Sequence, residues 1–353
     1  MSIPEHRKAI DELDEQLVRL LNDRTRHVLA IGDIKRKAGE EIYAPHRERA
    51  VLDRISRLNS GPITADQLRA IYREIMSSAL ALEKAMSIAY LGPETTFTHQ
   101  AAIRRFGSSL KYAPQKTVAD VFTEVGTGRA DYGVVPAEDS TEGVVTHILD
   151  MFVDSDLKIV SEIVLPVQHC LASNSPRAKI KKLYTHPQSL AQCRAWIQNN
   201  LPGVEIIATS SNARSAELAA KEKETAAVAG IIAAEKYGLA ILEGDIQDKA
   251  ANATRFLVLG RQCSPPTGHD RTRLIISVMD NVGALHQAIA AFRRYNINMT
   301  KIESRPSKRK AWGYFFFIDC DGHARDKDLS RAIQHLGEHC NFVKILGSYP
   351  NAE

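Results

Sequence analysis

Apolar residues return every three or four positions along the start of the chain. Ile10, Leu13, Leu17, Leu20, Leu21, Val28, Ile31 and Ile34 form one stripe, the mark of a single amphipathic helix from Glu5 to Lys37. Tyr43-Ala44-Pro45 interrupts it, because Pro45 suits the first turn of a new helix, and Val51, Leu52 and Ile55 carry the periodicity onward. A third helix follows Thr64-Ala65-Asp66-Gln67, a reciprocal capping sequence, and runs through Leu68, Ile71, Ile75 and Leu82 to Glu83. A first helix about 50 Å long cannot be buried by two shorter ones within one subunit. The pattern therefore predicts a helical dimer.

From Ile88 the texture changes to short apolar runs alternating with helical stretches, which predicts an α/β domain with a parallel sheet. One set comprises strand 88–91, helices 96–106 and 118–125, and strand 132–135. A second comprises strand 183–185, helix 189–199, strand 204–208, helix 213–220 and strand 226–229. A spacing of about 94 residues relates Pro93 to Pro187, Thr95 to Ser189, Thr117 to Ser211 and Val134 to Val228, so duplicated lobes and a cleft between them are expected. Gln262 to Gly268 reads as a linker. Strands 273–278, 297–304, 312–320 and 342–346 with helices 283–295 and 328–339 then give the order βαββαβ, a ferredoxin-like α+β domain. Three domains are expected, over 1–86, 88–262 (lobes dividing near 163 and 248) and 271–353.

Composition narrows the class without changing that picture. The net charge of +4 is modest and its basic residues are dispersed, so neither nucleic acid nor an anionic membrane is an expected partner. Lys308-Arg309-Lys310 reads as a solvated hairpin tip. No run approaches a membrane span and the first residues lack a signal-peptide core, which points to the cytoplasm. Cys170, Cys193, Cys263, Cys320 and Cys340 are scattered without metal-ligand spacing, so neither a metal nor a disulfide is expected.

The first helix also carries chemistry. Arg24 and Lys35, eleven residues apart, return to within about 20° of one azimuth and about 16 Å along the axis. Arg7 lies about 100° from Arg24, so it would join their site from a neighbouring chain. Singly, such cations are ordinary snorkelling residues; together beside an apolar seam they ask for a small, multiply charged anion. Residues 5–86 resemble the all-helical chorismate mutase family, an intertwined dimer that rearranges chorismate to prephenate. The resemblance implies that Arg7 of the partner subunit, Arg24 and Arg47 grip the dianion, and that Lys35 and a protonated Glu83 hydrogen-bond the ether oxygen. It also implies that Glu48 holds a substrate hydroxyl and that no cofactor is needed. Ala44 and Ala79 stand where many relatives carry polar side chains.

Three polar segments fall where the central cleft would be: Gly92-Pro93-Glu94-Thr95-Thr96-Phe97-Thr98, Pro136 to Gly143, and Asn252-Ala253-Thr254-Arg255-Phe256. Alone, each is an ordinary cap or turn. In this order they resemble prephenate dehydratase across 88–262, a bilobed fold of the periplasmic-binding-protein type. The resemblance implies Thr254 as the catalytic hydroxyl, with Thr96, Ser140 and Arg255 at the substrate. Relatives usually have glycine at Thr95 and asparagine at Asp139.

In the last domain, Gly283-Ala284-Leu285-His286 at a helix start and Glu303-Ser304-Arg305-Pro306 at a strand end resemble the regulatory ACT domain of phenylalanine-controlled dehydratases. These residues are then expected to bind phenylalanine as effector. The combined expectation is a cofactor-free enzyme converting chorismate through prephenate to phenylpyruvate, as a homodimer or higher homo-oligomer. A non-catalytic bilobed binder of aromatic acids with a helical dimerisation arm is the alternative. A ligand-responsive nucleic-acid binder is a weaker competitor, because no helix-turn-helix is recognisable.

Overall fold

A computed structural model describes residues 2–39, 43–140, 143–144, 146–249, 251–279, 281–307 and 313–351. Thr141 and Glu142 of the Pro136 to Gly143 segment, Lys308-Arg309-Lys310, and Trp312 at the start of the expected strand 312–320 lie outside these described residues. The chain forms two compact units, residues 1–87 with 106–111 and residues 88–105 with 112–353.

The first unit is helical: α1 (Ile3–Ala38), α2 (Pro45–Leu58) and α3 (Ala65–Glu83). Ser2 and Glu5 form a capping box on α1, and Gly39, at φ 69°, closes it in the left-handed conformation. Thr64 and Gln67 cap α3 as the sequence predicts. Ile10, Leu13, Leu17 and Leu20 are each more than half exposed, at 54–64%, although they belong to the apolar stripe of α1. Among the described residues of one chain, none covers that face.

The second unit begins with β1 (Ser87–Leu91), α4 (Phe97–Phe106), β2 (Lys111–Gln115), α5 (Val118–Gly126), β3 (Tyr132–Asp139), β4 (Gly143–Val144), α6 (Thr146–Asp154) and β5 (Lys158–Pro166). The chain crosses to a second lobe with β6 (Cys170–Ala172), β7 (Lys182–Thr185), α7 (Pro187–Gln192), α8 (Arg194–Asn200), β8 (Glu205–Ala208), α9 (Asn212–Ala219), β9 (Thr225–Ala229), α10 (Ile231–Lys236) and β10 (Ile241–Glu243). It then returns as β11 (Ala253–Gly260) to the first sheet. The sheet orders β2-β1-β3-β11-β5 and β8-β7-β9-β6-β10 match strand for strand. In both, a parallel pair is followed by an antiparallel neighbour contributed after the chain has crossed between lobes or back.

The helix expected over 189–199 is instead two. It breaks at buried Cys193 (φ −116°, ψ 17°), and the new helix start receives Asp248, whose carboxylate accepts from the N–H of Ala195 at 3.0 Å and of Trp196 at 3.1 Å. The cap comes from the returning connection, a contact remote in sequence.

The C-terminal domain is β12 (Asp270–Val278), α11 (Ala284–Arg294), β13 (Met299–Pro306), β14 (Tyr314–Asp321), α12 (Lys327–Gly337) and β15 (Cys340–Pro350), in the antiparallel order β13-β14-β12-β15. Strand alternation splits its apolar residues between two faces. Leu274, Ile276 and Ile318 pack under α11 and α12, while Ile275, Phe315, Phe317, Leu346 and Tyr349 join Phe122, Ile148 and Phe152 of the first lobe in one core. The expected linker is pinned between them. Ser264 is buried, its hydroxyl donating to Val160 O at 3.2 Å and its carbonyl meeting His323 Nε2 at 2.9 Å.

Candidate active sites

In the helical unit, α1, α2 and α3 enclose a cavity of about 220 Å³ lined by Arg24, Lys35, Arg47, Glu48 and Glu83, together with Ala44 and Ala79. Five of the six residues expected there are thus brought together. Arg7 is not: it lies exposed, 17 residues before Arg24 on the same helix, about 26 Å along the axis. Arg24 Nη1 and Glu83 Oε1 are buried with no hydrogen-bond partner among the described residues. Buried polar atoms in that state call for an explanation, and both of these belong to residues that line the cavity. Burial pushes the Glu83 carboxyl above its ordinary value, against the pull of Lys35 and Arg36 and with help from Asp33. His46 is lowered by burial first and then by Lys35 and Arg47, a sign of the positive field at the cavity.

Gly32, the buried residue of α1, is what lets Glu83 sit there, since a Cβ at that position would collide with the Glu83 carboxyl.

A cleft of about 750 Å³ separates the two lobes of the second unit. Residues at the starts of α4 and α9, Thr96 and Asn212 among them, line it, and the free backbone amides of helix N-termini favour anions. Thr96 is where the sequence places it, with its hydroxyl donating to Pro93 O at 3.0 Å and accepting from His99 N at 3.3 Å. Thr95 has φ 67°, a left-handed conformation in which glycine is unstrained. Lys116 and the imidazoles of His169 and His186 also line the cleft, and burial holds both imidazoles below the ordinary histidine value.

Thr254 lines the cleft opposite Asp139 in the β11–β3 register. Its hydroxyl donates to Asp139 Oδ2 at 3.0 Å, and the same oxygen accepts from Gln188 Nε2 at 3.2 Å and Gln192 Nε2 at 3.0 Å. Asp139, 3% exposed, thereby ties β11 to α7 of the opposite lobe. Sequence reasoning missed Gln188, Gln192, His169 and His186. For His186, Gln188 and Gln192 the 94-residue repeat held the signal, because it aligned Pro187 and Ser189 with the Pro93 loop; it does not reach His169.

Two expected cleft residues are elsewhere. Ser140 is exposed and fastens strand ends, donating to Ala251 O at 3.2 Å and accepting from Ala253 N at 3.0 Å. Arg255 points to the far side of the sheet, since adjacent strand residues alternate in direction. There its Nη1 lies 3.7 Å from Glu138, 3.9 Å from Glu162 and 3.9 Å from Asp319.

In the C-terminal domain, Gly283 (φ 81°) caps α11, Ala284 is buried, Leu285 is half-buried and His286 is exposed. Glu303 and Arg305 pair at 3.3 Å on β13 with Ser304 exposed between them. Among the described residues, no hydrogen bond or ion pair joins the two motifs within the chain.

Residues 6–84 match the chorismate mutase type II family, residues 88–264 prephenate dehydratase, and residues 272–338 the ACT domain. A bifunctional chorismate mutase/prephenate dehydratase of Aquifex aeolicus is 48% identical over 99% of this chain and 98% of its own length. The chain belongs to the bifunctional chorismate mutase/prephenate dehydratase family. A second such enzyme, from Stutzerimonas stutzeri, is 43% identical over 98% of this chain and 97% of its own. The crystal structure of a prephenate dehydratase from Arthrobacter aurescens in complex with L-Phe superposes with a TM-score of 0.70 at 32% identity, covering 76% of this chain and 90% of that one. The helical unit is therefore the chorismate mutase, the bilobed domain the prephenate dehydratase and the C-terminal domain the ACT domain. Gly32→Ala in the mutase should favour the helix by about 1 kcal/mol while displacing Glu83. The expected result is lower mutase turnover with an unchanged or raised melting temperature, read by a chorismate assay beside thermal denaturation.

Proposed function

We propose that the two cavities act in succession on one ring system. In the mutase, Arg24 and Arg47 hold the chorismate carboxylates, with Arg7 of the partner subunit completing the grip. Glu48 takes a ring hydroxyl, and Lys35 with protonated Glu83 stabilises charge growing on the ether oxygen. A pericyclic shift needs a held conformer and that charge stabilisation, so no nucleophile takes part. The uncovered stripe of α1 supports a homodimer, because a second copy would bury Ile10, Leu13 and Leu17.

In the dehydratase, the C1–carboxylate bond breaks to release carbon dioxide and its electron pair enters the ring. The C4–oxygen bond then breaks toward oxygen, which takes a proton and leaves as water. Prephenate dianion plus one proton thus gives phenylpyruvate, carbon dioxide and water. Thr254 donates its hydrogen bond to the departing oxygen, and the Thr96 segment with the α4 and α9 starts holds the carboxylates. Phenylalanine binds the ACT domain through Gly283, Ala284, Leu285 and His286 and through Glu303, Ser304 and Arg305, and inhibits the dehydratase. The enzyme works in the cytoplasm.

Asp139 tunes the second step. A carboxylate about 8 Å from a substrate charge repels it by about 2 kcal/mol at an effective dielectric near 20. It also holds the Thr254 proton that the leaving oxygen needs. Asp139→Asn should therefore raise kcat/KM for prephenate at pH 7.5 about tenfold, equivalent to about 1.4 kcal/mol. Equal values for both proteins would mean that the Asp139 carboxyl exerts no field on the substrate.

The observation carrying this reading is that one chain holds two separate cavities, one lined by Arg24, Lys35 and Glu83 and the other by Thr254. Its test is to supply chorismate and follow prephenate and phenylpyruvate separately, with and without phenylalanine, while sedimentation reports assembly. Both products should form, and phenylalanine should suppress the second more than the first. Binding of chorismate without product would favour the non-catalytic reading.

A further inference from the structure

The catalytic strand has a second face, and that face is charged. Thr254 and Asp139 meet on the cleft side, and the next register pair, Arg255 and Glu138, meets on the other side at 3.7 Å. The register between β11 and β3 slips just beyond them, between Arg255 and Phe256, so Ala137 is an extra residue on β3. The bulge explains why Pro136 and Asp139, three apart, both line the cleft while Ala137 and Glu138 turn away from it. What they turn toward is the ACT sheet. Glu138 Oε1 lies 2.8 Å from Lys301 Nζ, which lies 3.6 Å from Glu303, which in turn pairs with Arg305. Arg255 reaches Asp319 on β14, itself held by Arg273 at 2.5 Å. An unbroken series of ion pairs thus runs from the backbone neighbours of Thr254 and Asp139 to the effector motif on β13.

We infer that Glu138 and Arg255 are positioning residues that clamp β3 to β11 behind the Thr254–Asp139 pair, and that Lys301 makes this clamp answer to the state of the Glu303–Arg305 strand. These are partly buried charges at the junction of two domains, where a shift of β13 redistributes which carboxylate each cation serves. Arg255 has no closer claim from any one acid, lying between 3.7 and 3.9 Å from all three. A movement on the regulatory side therefore changes the geometry at the reacting hydroxyl without touching the cleft. The coupling to phenylalanine rests on the effector reading above, whereas the clamp does not.

Two variants in the full-length enzyme separate these parts. Lys301→Met should keep phenylalanine binding, measured by calorimetry, and basal dehydratase turnover within about threefold, yet lose at least half of the maximal inhibition; Lys301→Arg should restore it. Glu138→Gln should lower dehydratase kcat about tenfold with prephenate KM and mutase turnover within about twofold, the split expected when only the reacting geometry is disturbed. Full inhibition of Lys301→Met by bound phenylalanine would overturn the coupling. An unchanged kcat in Glu138→Gln would overturn the clamp. A parent enzyme that phenylalanine neither binds nor inhibits would overturn the effector reading and the coupling with it, leaving Glu138→Gln to judge the clamp alone.

Discussion

Thr254→Ala is expected to abolish the second activity and spare the first: dehydratase kcat should fall by about 10² to 10³, with chorismate turnover within about twofold of the parent. The substitution removes one hydroxyl at a position 9% exposed on β11, whose backbone is paired on both sides, to β3 and to β5. Its folding cost is that of one hydrogen bond to Asp139, about 1 kcal/mol, and Asp139 retains the amides of Gln188 and Gln192. The loss is therefore chemical rather than structural. A hydroxyl is a weak acid in water, but in a cleft closed by two lobes its one proton has only to turn from Asp139 Oδ2 to the departing oxygen as the C4–oxygen bond breaks. Thr254→Ser, which keeps the hydroxyl, should recover most of the rate. Loss of both activities in a folded Thr254→Ala protein would contradict separate sites, and retention of dehydration would remove Thr254 from the chemistry.

How far the sequence discloses the molecule depends on the range of the interaction that decides each feature. The α1 stripe, the Pro45 break and the Thr64–Gln67 cap are local, and they fix the helical unit nearly to the residue. The five pocket residues follow from them together with the family resemblance. Alternation along a strand is also local, and it already forbids Thr254 and Arg255 from sharing one cleft. The role expected for Arg255 ran against that rule, and the guanidinium lies on the opposite face. Other features need partners distant in the chain. Asp248 breaks the predicted helix at Cys193, and the β3 bulge sets the side to which Asp139 points. Gln188 and Gln192 read as ordinary polar helix residues until the lobes bring them against Asp139. No local pattern encodes such meetings.

Lys35→Met should reduce chorismate rearrangement by about a hundredfold or more, because in the proposed mechanism it removes the charged donor that meets the ether oxygen as negative charge accumulates there. The accompanying change in pH dependence is the sharper result. Glu83 can donate to the same oxygen only while protonated, and burial raises its carboxyl above the ordinary range, so activity should hold on the acid side and decline as pH rises through that raised value. Lys35 is the leading charge pulling the carboxyl down. Its removal should carry the residual activity's decline to higher pH even as the rate falls. Glu83→Gln keeps an amide donor at every pH and should flatten the profile altogether. A parent profile already level from about pH 5 to 8 would exclude a titrating donor, and a Lys35→Met limb at its parental position would mean that the Lys35 charge does not act on the group that titrates.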